Sequence, residues 1–364
     1  VSARDARTGP ATDATTGKRL RNAGASRSGG SRPEPKGNAR STARRSGGPA
    51  QPEAPAPVDG LVVGTVPASA RVAGVLLVLS GLVGAVAPFP TYLVVGGRSL
   101  SQVSGVGGAL IALLVPVTSL LVGLGLARGR LPKFGLAYAG VAGALGVGQL
   151  LIEVYRGSSS TSRPAIEVLA GARVLTSSVE ARPGWMLGLA ALTLTVLAGC
   201  VATSAWGRTV MEDGGGLDPA RSGLAGLAVL LGVATVLCLS LPAADVPDQL
   251  STDPVTGMQT VVTREGPQAL LERPGLALLG GLLLAGAVVL CAVIAPSLRP
   301  RLAAVGALLA LTVTVLSAGL LGAHDAVGSR DLQWTLPGIG LVLAGLAFAG
   351  LTAVAWRIRR GQQP

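Results

Sequence analysis

Glu153 is the one carboxylate of this 364-residue chain that falls inside a long apolar run, and Gln149 stands one helical turn before it. Side chains four residues apart share a helix face, so the pair makes the only concentrated polar face of its segment. An acid at membrane depth is costly and is usually kept for proton relay or cation binding. Near the end of its run, however, and beside Tyr155 and Arg156, Glu153 can also snorkel into the interface, and this second reading is favoured. The sole histidine, His324, adjoins Asp325. The pair could orient an imidazole for base catalysis, but no serine or cysteine nucleophile is placed with it and no second histidine offers a metal site. It reads as a solvent-exposed loop histidine. Asp245, Asp248 and Asp253 lack the spacing of a calcium loop and read as solvated charge. Cys200, Cys238 and Cys291 each lie in an apolar run, away from metal-ligand spacing, and read as small core residues. No cofactor, metal or catalytic residue is assigned.

The elements that must hold these residues are membrane spans. Hydrophobic residues make up 49% of the chain and mean hydropathy is +0.57, unlike the balance of a soluble domain. The four tryptophans sit at span edges as interface anchors: Trp185 and Trp206 bracket one apolar segment, Trp334 and Trp356 another. Twenty-one or twenty-two helical residues cover roughly 31–33 Å, close to a hydrocarbon core, and indole prefers its boundary. Helices are expected at about 70–90, 105–126, 133–154, 184–206, 222–242, 275–296, 302–323 and 336–357. The fold class is therefore all-α, a polytopic transmembrane bundle of about eight spans over residues 69–357.

Residues 1–68 form an Arg-, Pro-, Gly- and Ser-rich segment without apolar periodicity, expected to be a disordered cytoplasmic tail; 358–364 form a short second one. The formal net charge of +12 is concentrated in the tail and in Arg128/Arg130/Lys133, Arg208/Arg221, Arg299/Arg301 and Arg357/Arg359/Arg360. All of these fall on one side of an eight-span chain, and the other side holds more acid than base. By the positive-inside rule both termini are cytoplasmic. The tail offers contact to anionic lipid but carries no interleaved aromatics for stacking on single strands, so no specific nucleic acid is expected as partner.

Pro183-Gly184, Pro274-Gly275 and Pro337-Gly338 open spans, where a first-turn proline loses no needed hydrogen bond, and Arg71, Arg221 and Arg301 precede others. This punctuation reads as a helical hairpin used four times. The external loops run short, long, long, short, which fits a duplication of four helices poorly. In the two longer loops, 155–183 and 243–274, a short helix is expected over Ala165–Val174 and a strand over Met258–Thr263. Small residues recur every fourth position at Gly135/Ala139/Gly143, Gly140/Ala144/Gly148, Ala277/Gly281/Ala285 and Gly345/Ala349/Ala353, a spacing that lets helix backbones approach. Packing within the chain is favoured over a second protein. Isolated hydroxyls such as Thr193, Thr195, Thr235, Thr312 and Thr314 are expected to bond back to their own helices.

The residue usage, arginine over lysine with abundant Ala, Gly, Val, Leu and Pro, tracks GC-rich codons, and in composition and topology the chain resembles the many uncharacterised multi-pass proteins of actinobacteria with an Arg/Pro/Gly-rich tail. The resemblance includes no diagnostic motif and implies no site residue. The composition points to the bacterial plasma membrane, so the lipid bilayer is one partner, and the uncharged spans, small-residue stripes and disordered arm point to a membrane protein as another. Three functions fit these features: a non-enzymatic scaffold or accessory subunit of the envelope, which is favoured; a permease or lipid-handling transporter for an apolar or lipidic substrate; and, last, a membrane enzyme.

Overall fold

Long runs of Leu, Ala, Val and Gly leave the backbone no polar partner outside itself, so within apolar surroundings helix is the conformation that satisfies it. The structure, a computed structural model, describes residues 62–95, 98–103, 105–158, 166–169, 172–175, 179–212, 218–245, 249–252, 259–262, 269–270, 275–328 and 333–357. Most of the expected tail, up to residue 61, and the segment 358–364 lie outside them. Eight helices among the described residues are long and apolar enough to cross a membrane. They are α1 (Ala68–Val86), α2 (Gly105–Ala127), α3 (Pro132–Ser158), α4 (Pro183–Trp206), α5 (Asp218–Ser240), α6 (Leu276–Ile294), α7 (Arg301–Gly328) and α8 (Leu336–Arg357). The chain is a multi-pass integral membrane protein of the all-α class.

The ends depart from expectation for local reasons. α1 stops at Val86 rather than near 90, because Pro88 and Pro90 disfavour helix in the residues before them. α3 and α7 run several residues beyond their expected ends, to Ser158 and Gly328. Polar residues such as Arg156, His324 and Asp325 mark a change of solvent, and nothing in them breaks a helix. The histidine pair consequently sits on the last turns of α7, not in a loop.

The two longest helices form the centre. The apolar windows of α3 and α7 are each 61% buried, against 17% for α5, and α3 packs on α7 directly. Around that pair the contacts repeat with a shift of four helices. α1 meets α2 and α4 as α5 meets α6 and α8; α3 meets α4 as α7 meets α8; α3 meets α6 as α7 meets α2. The four hairpins suggested by the punctuation are all packed pairs, and they recur as two sets of four helices, a larger unit the punctuation did not reveal. Loop length concealed it, since loops tolerate insertion at little cost while helix contacts do not.

Short antiparallel strands close the connections. At one end, here called the cap end, β2 (Leu93–Val95) pairs with β3 (Arg98–Leu100) and with β6 (Val179–Ala181), Leu93 opposite Ala181. In the second half β8 (Ala244–Asp245) pairs with β11 (Gln333–Trp334), Ala244 opposite Trp334. Each pairing joins the residues that follow the first helix of a half to those that precede its fourth. The stretch Ala165–Val174, expected to be helical, instead contributes the hairpin β4 (Ile166–Leu169) and β5 (Ala172–Leu175), consistent with its β-branched residues and the intervening Gly171. The strand expected within 258–263 is present as β10 (Gln259–Val262), paired with β9 (Gln249–Thr252). At the other, basic end, β1 (Val62–Val63) pairs with β7 (Met211–Glu212), so the end of the segment expected to be disordered is tied down. There Arg221 donates to the carbonyls of Pro296, Ser297 and Leu298 at 3.2, 2.9 and 3.4 Å, binding the first turn of α5 to the turn before α7.

Small residues account for the tight seams. A Cβ on Gly199 of α4 would stand 2.9 Å from the Cα of Gly143 on α3, and one on Gly148 would stand 2.6 Å from the carbonyl oxygen of Gly280 on α6. Backbones touch at both crossings, within this chain. Gly140 meets nothing within 4 Å, so its stripe packs only at its Gly148 end. The five threonines all bond back to carbonyls of their own helices, and Thr195 and Thr312 also reach across, to Ser80 at 2.6 Å and Thr352 at 2.9 Å.

Candidate functional site

Glu153 lies five residues before the end of α3 and is 8% exposed, the only buried carboxylate among the described residues. It does not snorkel. Its carboxylate turns inward and accepts the hydroxyl hydrogen of Tyr92 at Oε1, while the guanidinium of Arg156 stands 3.5 Å from Oε2. The backbone carbonyl of the same residue accepts Trp185 Nε1–H at 2.8 Å. One residue of α3 therefore holds one side chain from the start of the cap and one from the start of α4.

Tyr92 is positioned by the backbone around it. Its N–H donates to Leu100 O at 2.9 Å and its carbonyl accepts Arg182 N–H at 3.2 Å; the carbonyl of Thr91 accepts Gly184 N–H at 3.1 Å. Tyr92 and Leu93 form a small apolar cluster with Leu100, Val179 and Trp185. Burial first, then the facing Glu153 carboxylate, push the phenol well above its ordinary range, so it remains a neutral donor. The chemistry of the cluster is that of a latch: a buried charge given a donor and a cation rather than left free to bind or relay.

Gln149 is half-buried one turn nearer the basic end, and its side chain makes no hydrogen bond to another described residue. The structure therefore separates the expected pair in role. Of the local neighbours read from the sequence, Arg156 does meet Glu153. Tyr92 was missed, because 61 residues separate it from Glu153 and no pattern in the sequence joins them. The only available signal was that Tyr92 follows the first span at the same end.

The remaining candidates separate similarly. His324 Nδ1 stands 3.7 Å from Asp325 Oδ1, beyond hydrogen-bond range. The ring is 23% exposed and lies against α2, where a Cβ on Gly107 would be 3.3 Å from it; it is not a solvated loop residue. Asp245 belongs to β8, and Asp248 and Asp253 lie outside the described residues. Among the described residues no three His, Cys, Asp or Glu side chains group as metal ligands. Only Cys291 is a buried core residue; Cys238 is half-buried and Cys200 is exposed on the outside of α4, where apolar surroundings rather than core packing account for it. Trp185 and Trp206 stand at the two ends of α4, and Trp356 at the end of α8, with Trp334 just before it in β11. Beyond its edge position Trp206 lies under the Lys133 ammonium, 5.6 Å from the ring centroid. Comparison with protein-family models, with curated proteins and with solved structures returned no match to this chain.

Proposed function

We propose that this protein is a non-enzymatic scaffold or accessory subunit of a bacterial envelope, resident in the plasma membrane with its basic end and both termini in the cytoplasm. One observation carries the reading: the single buried carboxylate among the described residues is consumed by Tyr92 and Arg156 in fastening the cap to α3. A transport or catalytic acid needs spare capacity toward a substrate; this one holds structure. Backbone-to-backbone seams at Gly143/Gly199 and Gly148/Gly280 likewise favour a rigid body that presents surfaces. The orientation follows from the arginine bias between the two ends.

Affinity purification from native membranes in mild detergent, with quantitative mass spectrometry, tests the proposal. A membrane protein recovered at fixed stoichiometry is expected. Recovery of this chain alone, in a state that retains a small solute, would overturn it. The second reading, a permease or lipid-handling transporter for an apolar or lipidic substrate, is favoured by the unpartnered amide of Gln149. It requires that Gln149→Ala abolish uptake while leaving the fold intact.

A further inference from the structure

The small-residue stripe of α8 changes character along its length. Gly345 is a packing contact: a Cβ there would stand 2.7 Å from Leu316 Cα of α7. One and two turns on, half-buried Ala349 and exposed Ala353 line a groove of ≈ 410 Å³ together with Leu309 of α7 and Phe134 of α3. The surface it exposes is almost wholly apolar. Thr312 and Thr352 contribute to it, but their hydroxyls are spent on each other at 2.9 Å and on the carbonyls of Leu308 and Phe348 at 2.8 Å each. Such a surface has nothing to offer water or a polar solute.

Position and charge identify what fits. From Ala349 to Arg357 α8 rises about 12 Å, close to the depth of one leaflet of a hydrocarbon core roughly 30 Å thick. The groove ends at half-buried Trp356 and exposed Arg357, in the last turn of the helix, and the sequence continues Ile358-Arg359-Arg360. An apolar groove running along most of one leaflet's depth, with a cation at its mouth, matches a lipid tail under an acidic headgroup. At the corresponding place in the first half Gly199 of α4 meets Gly143 of α3 backbone on backbone, where α8 carries Ala353 in the groove.

We propose that the groove between α7 and α8 binds one acyl chain of an anionic phospholipid of the leaflet at the basic end, with its phosphate on Arg357. The site is distinct from the cap latch and independent of the scaffold reading.

The full-length protein in nanodiscs tests this through the fluorescence of Trp356, isolated as the difference between wild type and Trp356→Phe. At equal mole fraction, phosphatidylglycerol brominated on its acyl chains quenches this component more than brominated phosphatidylcholine does. Arg357→Gln is expected to reduce the preference by about fivefold, the loss of one basic residue at a membrane surface, while quenching by both lipids persists. Ala353→Leu, which fills the slot, is expected to remove quenching while a size-exclusion profile like that of wild type shows the fold retained. Equal quenching by both lipids in wild type would overturn the headgroup assignment. Unchanged quenching in Ala353→Leu, or a Trp356 shielded from both lipids, would overturn the groove itself.

Discussion

The two four-helix halves share their main pattern of helix contacts and use different means to hold it. In α1–α4 the cap is fastened by polar groups: Glu153 takes Tyr92 and Arg156, and its carbonyl takes Trp185. In α5–α8 the equivalent junction, among the described residues, is held by Thr335, whose N–H donates to Ala243 O at 3.3 Å and Oγ1 to Pro242 O at 2.7 Å. The seams differ as well. α3 and α4 close glycine on glycine, whereas at the corresponding place Ala353 of α8 lines a groove shared with α7 and α3 toward the basic end. A shared contact pattern thus sets which helices meet, and the side chains at each meeting decide whether it becomes a lock, a latch or an opening.

Breaking the closed seam should have the largest effect. Gly199→Leu forces a side chain into the backbone of α3 and is expected to cost about 3 kcal/mol or more, the upper part of the overpacking range, seen as a large drop in thermal midpoint in detergent. Ala353→Leu, at the corresponding place on α8, enters open space and should change stability by less than about 1 kcal/mol. Equal losses in the two variants would erase the distinction between the seams.

The latch comes next. Tyr92→Phe leaves the buried Glu153 carboxylate without its hydroxyl donor and should cost about 1–3 kcal/mol, with hydrogen exchange accelerating in β2 and β6 but not in β8 and β11. The same hydroxyl predicts an alkaline response. Burial and Glu153 raise the phenol's pKa in the folded state, so the stabilisation is whole below the unfolded value near 10 and is lost as pH rises through the raised one. Wild type should therefore lose a thermal increment above about pH 10 that Tyr92→Phe lacks. A variant that keeps the increment would place it on another tyrosine.

The smallest effect belongs to a feature of the first half alone. Ser80 of α1 donates to Ala191 O at 2.8 Å and meets Thr195 of α4; Ser80→Ala should cost roughly 0.6 kcal/mol, the average for such bonds between membrane helices. A much larger loss would mean that the α1–α4 contact depends on polar groups rather than on packing.

How much of this was legible can be traced residue by residue. The spans were, because a bilayer sets both their length and their composition, and every one of the eight was placed to within a few residues. So were the threonines that bond to their own helices, since that geometry is local. The partner of Glu153 was not, nor the helical setting of His324, nor the four-helix unit. The stripe Gly345/Ala349/Ala353 read uniformly as a packing surface, yet only Gly345 packs closely, and its two alanines line the groove.

The sequence by itself determined that this chain crosses a membrane eight times, where each crossing begins and which end is basic, because hydropathy, length and charge act over neighbouring residues and need no partner. Only the tertiary structure decided that Tyr92 closes on Glu153, that α3 and α7 are the centre and that residues of α3, α7 and α8 line one groove ending at Arg357. Those outcomes depend on which surfaces meet across distant segments. In a bundle whose helices are all apolar, small-residue shape and a few buried hydrogen bonds choose among arrangements that the hydrophobic pattern leaves equal.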